Sequence, residues 1–151
     1  ECEMNIELTN LTAHHCDELR LTSVAEFAMK SMGLHQDCEV SISLVDEEEM
    51  SALHLRWMDE PGATDVLSFP MDEIKPNSAS NGPGMLGDII LCPSFAARQA
   101  EQAGHPLQDE LELLTVHGVL HLLGYDHREE DEKEIMFGIQ ERYLRDWKVS
   151  R

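Results

Sequence analysis

The run His117-Gly118-Val119-Leu120-His121-Leu122-Leu123-Gly124-Tyr125-Asp126-His127 constrains this chain more than any other stretch. Two histidines four residues apart share one helix face about a turn apart, so their imidazoles converge. Gly124 follows the apolar run and suits the left-handed conformation that ends a helix and turns the chain back. That return brings His127 toward the same point. Three neutral imidazoles with a fourth position left for water suit Zn²⁺, in the arrangement of a catalytic rather than a closed structural site. A histidine pair alone says little, and it is the glycine stop and third histidine that carry the metal reading. The alternative is a partly buried, hydrogen-bonded histidine cluster, which zinc loss on single substitution would distinguish.

A metal platform of this kind needs a packed helix, and the flanking sequence predicts one. Pro106 opens a helix through Leu111, Leu114, His117 and His121, with Leu113, Val116 and Leu120 as a second apolar edge. Burial on both edges makes it central, and packed backbone holds ligands more accurately than a loop. Before it, Asn5 to Leu11 alternates Ile6 and Leu8 as a strand. Asp17 to Met32 is an amphipathic helix on Leu21, Val24, Ala25, Ala28 and Met32, stopped by Gly33. Cys38 to Val45 sets Val40, Ile42 and Leu44 against Ser41 and Ser43, a half-buried strand.

Asp46 caps the next helix with Glu49 at capping-box spacing, which accounts for the acidic run without a metal. That helix carries Met50, Leu53 and Trp57 and ends in the turn Asp59-Glu60-Pro61-Gly62. Strands follow at Thr64 to Phe69, closed by Pro70, and at Gly87 to Leu91, closed by Pro93. Lys75 to Gly84 between them is a flexible loop by composition, a connection or a lid over a cleft. An alanine-rich helix runs to Ala103, and Glu129 to Trp147 forms the last helix, its inner face on Ile135, Met136, Ile139, Tyr143 and Leu144. The expectation is one α+β domain over residues 1–151. It has a mixed sheet of about four strands packed with helices, and the metal site lies on a central helix and its following turn. The order of the strands is left open.

Composition narrows the partners. With 30 acidic against 11 basic residues the net charge is -19, which repels polyphosphate on average and demands a local basic patch or a metal for any nucleic-acid role. Cys2, Cys16, Cys38 and Cys92 show no CxxC spacing and read as free thiols of a reducing compartment, with Cys2 exposed at a terminus. The apolar runs are too short to cross a bilayer and no signal peptide is evident, so a soluble cytoplasmic protein with no membrane partner is expected. His14, His15 and His35 fall outside the apolar stripes and belong to the surface or to caps.

HGVLHLLGYDH resembles the signature of the YbeY family of rRNA-maturation endoribonucleases. TDVLSFP at Thr64 to Pro70 and LGDI at Leu86 to Ile89 resemble further motifs of that family, in its order and across nearly the whole chain. The resemblance implies that His117, His121 and His127 hold one zinc ion. It also implies a single-strand-specific endoribonuclease of rRNA 3′-end maturation and ribosome quality control, working with ribosomal proteins or ribosome-associated factors. Asp88 matches the aspartate of LGDI and could orient a ligand or the substrate; the bland reading is a structural hydrogen bond. Asp126, beside a ligand, could also act from outside the ligand set. The usual family pattern has an arginine six residues before TDVLSF, where this chain has Met58. Arg56 could replace its phosphate contact if the local chain is extended, and is otherwise a surface charge. His54 stands where the family commonly has asparagine.

The histidine spacing is also similar to that of metzincin peptidases, but those place glutamate after the first histidine and this chain has Gly118. The implied chemistry is phosphodiester cleavage in single-stranded RNA, by water or through the RNA's own 2′-hydroxyl, with product ends distinguishing the two. Lys75, Arg98, Arg128 and Arg56 are candidates for a local basic patch. Two other readings remain open: a metallohydrolase of peptides or small molecules, and a ribosome-assembly protein with structural zinc.

Overall fold

In the computed structural model, residues 4–150 are described, and Cys2 lies outside them. The elements run β1 (Asn5–Asn10), α1 (Glu18–Ser31), β2 (Glu39–Leu44), α2 (Glu47–Met58), β3 (Val66–Pro70), β4 (Met85–Leu91), α3 (Pro93–Ala103), α4 (Leu107–Leu122) and α5 (Glu130–Ser150). The four strands form one sheet in the order β1-β2-β4-β3. β1, β2 and β4 are parallel, and β3 runs antiparallel to β4 at the edge. The expected mixed four-stranded α+β fold is thus observed, with the strand order now determined.

Local chemistry sets the helix ends. Asp17 accepts from the Arg20 amide and Asp46 from the Glu49 amide, so each N-terminus has a side-chain cap. Asp59 takes the left-handed conformation at the end of α2, where φ is 54°. The stretch 75–84 holds one short 3₁₀ turn at Ala79–Asn81 and is tied to the end of α1 by the Asn77 amide on the Met32 carbonyl, 2.7 Å. Among the described residues Cys16, Cys38 and Cys92 are free thiols, and no helix is long and apolar enough to cross a membrane.

The sheet separates two apolar layers. Leu86, Ile89 and Leu91 of β4 pack with α1 and α4 in the main core, joined by Met136, Tyr143 and Trp147 of α5. On the other face α2 covers a smaller cluster of Val45, Met50, Leu67 and Cys92, with Phe69 and Ile90. One expectation fails on α5. Ile135 is 57% exposed, because the buried stripe follows Met136, Tyr143 and Trp147 instead.

Two close approaches locate the edge strand and the central helix. Gly87 has φ 143°, and a Cβ there would lie 2.1 Å from the Phe69 carbonyl oxygen, so only glycine allows β3 to pair at this point. Gly118 faces the sheet, where a Cβ would come within 2.9 Å of Ile89 Cγ2. That missing side chain lets α4 lie directly on β4. α4 is further locked by Glu112, whose side chain is 3% exposed. Glu112 accepts from Arg20 Nε and Nη2 at 2.9 and 2.8 Å, from Gln108 Nε2 at 3.0 Å and from Trp147 Nε1 at 2.9 Å. Burial pushes this carboxyl up, but the hydrogen bonds from Arg20, Trp147 and Gln108 outweigh it and hold the pKa below the usual carboxylate value.

Glu112 therefore joins α1, α4 and α5 through one charge. Glu112→Ala strips three side chains of their shared acceptor and is expected to cost about 3 kcal/mol, as loss of one member of a buried ion pair does. A urea denaturation curve with a lower midpoint and unchanged slope checks this.

Candidate metal centre

The end of α4 is built to bring three histidines together. Gly124 has φ 99°, its amide reaches the His121 carbonyl at 3.0 Å, and the Tyr125 amide reaches the Leu120 carbonyl at 3.1 Å. This is the paired hydrogen-bond pattern of a glycine-terminated helix, and it reverses the chain. Asp126 then accepts from the His127 amide at 2.7 Å and pairs with Arg128 Nε at 3.1 Å, which fixes the turn carrying the third imidazole. The ring centroids of His117 and His121 are 4.6 Å apart, those of His121 and His127 5.2 Å, and those of His117 and His127 5.5 Å. One nitrogen from each ring lies within 4.8 Å of the other two.

The hydrogen bonds around the rings suit a cation. His117 Nδ1 is 2.8 Å from Gln140 Oε1 on α5. An amide oxygen only accepts, so Nδ1 carries the proton and Nε2 keeps its lone pair for the cluster centre. Burial lowers the His117 pKa, against the opposing Gln140 contact. Burial also lowers His121 from 6.5 to about 4, reinforced by the neighbouring His117 and His127 rings. These rings stay neutral, the form that binds a metal. His127 is exposed, leaving the centre open to solvent on one side. Phe137 of α5 closes another side, its ring 6.2 Å from His117 and 6.0 Å from His127. Three imidazole nitrogen donors and an open side fit zinc with a position for water or substrate.

The cluster lies in a cleft of about 300 Å³ whose other wall is Met58 at the end of α2, Thr64 and Asp65 before the edge strand, and Val66, Leu67 and Ser68 at its start. Asp65 Oδ1 accepts from the Val66 amide at 2.8 Å and from Thr64 Oγ1 at 3.2 Å. With its amide NH₂ turned toward the two carboxylates, Gln99 of α3 joins Asp65 Oδ2 at 3.1 Å to Glu110 Oε2 at 3.2 Å. Glu110 in turn holds His105 at 2.6 Å. The TDVLSFP block is thereby braced against α3 and α4.

Not every residue singled out in the sequence reaches this cleft. Ser68 pairs with Ile89 and Phe69 with Asp88, and Ile89 packs beneath Gly118 on the α4 side. Neighbouring strand residues alternate, so Asp88 points to the opposite, α2 side of the sheet. The condition on which Arg56 could stand in for Met58 is not met. That stretch is helical, so side chains two positions apart diverge. Met58 lines the cleft, while Arg56 stacks over Trp57 at 5.2 Å. His54 Nδ1 contacts the Gly62 carbonyl at 2.9 Å and Nε2 contacts Glu60 at 3.2 Å, which ties down the turn after α2.

The candidate basic patch is spent on other contacts. Lys75 pairs with Glu73, Arg98 with Glu47 and Arg128 with Asp126, and the cleft lining contains no lysine or arginine. Gln140 and Phe137 were not singled out in the sequence. A signal for Gln140 existed: it is a polar residue in step with Met136, Tyr143 and Trp147, where an apolar one would pack. Gly118 also gains a physical reason. The Cβ of a glutamate there would press on Ile89, so the peptidase residue at this position conflicts with the packing of α4 on β4.

The depressed histidine pKa values predict a pH dependence for the metal-free protein. Between 6.5 and about 4 the unfolded chain protonates His121 while the folded chain does not. The unfolded state then binds more protons, so stability falls as pH drops through that window. Urea midpoints of chelator-treated protein between pH 7 and about 5 are expected to decline, and His121→Asn to flatten the decline, since asparagine does not titrate there.

The chain matches the family model described as Endoribonuclease YbeY over residues 4–148. It is 57% identical over 148 residues to an endoribonuclease YbeY of Rhodococcus opacus, covering 95% of this chain and 82% of that protein. It is 51% identical over 149 residues to the one of Thermobifida fusca, covering 97% and 96%. A solution structure of a Thermotoga maritima protein superposes with a TM-score of 0.66 at 28% identity, over 94% of this chain and 88% of that one. With its histidine cluster, its edge-strand cleft and a match along almost its whole length, the chain belongs to the YbeY endoribonuclease family.

Proposed function

We propose that this chain is a zinc-dependent endoribonuclease that cuts single-stranded RNA in rRNA 3′-end maturation and ribosome quality control. The observation that carries this reading is the convergence of His117, His121 and His127 in an open cleft of a chain with this family membership. When bound, zinc would lower the pKa of a water and draw charge from a phosphoryl oxygen. The protein's own part is positioning. His117 presents Nε2 because Gln140 holds Nδ1–H, and His127 is placed by the turn at Asp126. Asp65 is the one carboxylate lining the cleft among the described residues, held there by the Val66 amide, Thr64 and Gln99.

The substrate class follows from shape and charge. A cleft between a helix end and an edge strand admits a single strand or a loop, whose backbone and bases can be splayed, and not a duplex. With no basic residue in the lining and a net charge of -19, the protein does not gain affinity from phosphate neutralisation at this surface. Ribosomal proteins or other ribosome-associated factors supply the remaining affinity in this reading, which places the protein in the cytoplasm with its rRNA. Gly118 packed on Ile89 supports phosphodiester over peptide hydrolysis, because the peptidase carboxylate has no room.

The test is metal content and cleavage of a single-stranded rRNA 3′-end oligonucleotide, with chelation and zinc restoration. His121→Ala is expected to lose both bound zinc and about 100-fold or more of the cleavage rate, with Gln140→Ala weakening zinc by about 10- to 100-fold. Zinc bound without cleavage of any RNA would leave the structural-zinc assembly protein as the better reading. A 2′,3′-cyclic phosphate end would assign attack to the RNA's own hydroxyl rather than water. Met58→Arg, which puts a forked cation into the cleft, is expected to raise kcat/KM on RNA about tenfold, within the range of a charge-assisted hydrogen bond.

A further inference from the structure

We infer that the groove on the far side of His121 is a nucleobase subsite, which takes the base next to the phosphate held at the histidines. The inference rests on the ribonuclease reading of the cleft. His121 lines both the histidine cleft and a second groove of about 350 Å³, formed by Pro70 to Lys75 and His121 to Gly124. The two therefore adjoin at one imidazole, and a strand lying across the histidines along β3 runs from the first toward the second.

The groove is formed in advance of any ligand. Its outer wall continues the β3–β4 pairing, with the Met71 amide on the Leu86 carbonyl at 2.9 Å and the Asp72 amide on the Met85 carbonyl at 3.0 Å. Asp72 Oδ2 also accepts from the Met85 amide at 2.8 Å. Ile74, Leu122 and Leu123 belong to the main core or pack against it, so the apolar lining is held from behind.

Its chemistry suits a base. The polar groups along it are the carboxylates of Asp72 and Glu73, the Lys75 ammonium, the His121 ring and the carbonyl end of α4, which carries partial negative charge. Lys75 Nζ is engaged by Glu73 at 3.5 Å. An apolar slot rimmed by acceptors suits a flat ring whose edge donates hydrogen bonds. Adenine, cytosine and guanine each carry an exocyclic amino group with two donors, and uracil offers only its ring N3–H.

The experiment measures cleavage by the zinc-loaded protein of one oligoribonucleotide series. An abasic nucleotide or each of the four bases is placed in turn at the two positions flanking the cut. At one flank, the abasic nucleotide is expected to lower kcat/KM about tenfold and uridine to fall below the amino bases, the discrimination a small apolar pocket provides. Ile74→Phe, which narrows the slot, is expected to bring the ratio of intact to abasic cleavage close to one. Glu73→Gln, at an exposed position where folding is not at stake, is expected to reduce the preference against uridine. Cleavage indifferent to the base at both flanks, or a base dependence that neither variant changes, overturns the subsite while leaving the ribonuclease reading intact. Failure of the unsubstituted protein to cut any member of the series overturns the ribonuclease reading and the subsite with it.

Discussion

The contact between α4 and β4 at Gly118 and Ile89 is the constraint on which the rest depends. A Cβ at 118 would lie 2.9 Å from Ile89, and its absence lets the helix axis approach the sheet closely. With that approach set, His117 and His121 rise beside the edge strand, and Val66 and Ser68 of β3 form the facing wall. The edge strand reaches the same place because Gly87 allows its carbonyl to pass where any side chain would block it. Two glycines, at positions 87 and 118, thus define the width of the cleft through the atoms they lack. Close-packed interiors transmit such differences because they have no slack to absorb them.

Glu112 shows how the same helix is held from the other side. A carboxylate with four hydrogen bonds in a nearly buried position costs desolvation, and the Arg20, Gln108 and Trp147 contacts offset it only together. Because Trp147 belongs to α5, this pairing also positions the helix that brings Gln140 and Phe137 to the histidines. Structural electrostatics far from the cleft and the tautomer of a ring in it are connected through one rigid element. The neutral state of His121 has the same origin, since packing that excludes water penalises the charged imidazole.

The net charge and the function proposed for the chain pull in opposite directions, and the structure indicates how they coexist. Its basic residues near the cleft are paired with acids, and the cleft itself presents histidines, hydroxyls and one carboxylate. In the function proposed for the chain, attraction to RNA would come from the metal at one point, from flat apolar contacts and from partners, in place of a broad positive field. A surface of this kind disfavours nonspecific binding to polyanions.

Local pattern made much of this legible. The i,i+4 histidines and the glycine stop depend only on helix geometry and on the freedom of Gly124 at positive φ, so the convergence of His127 followed from eleven consecutive residues. The strands with period-two alternation, the Asp17 and Asp46 caps and the mixed α+β class were equally local. What the chain order could not convey was pairing between distant segments. Ile135 sits in an apolar pattern yet faces solvent, because the inward stripe of α5 is chosen by what α1 and α4 present to it. The sequence by itself determined which side chains could gather around a cation and which elements would carry them. Only the tertiary structure decided that Asp88 turns away, that Met58 and not Arg56 enters the cleft, and that Gln140 sets the His117 proton. Each of those depends on register or packing across segments that meet only when the whole sheet has closed.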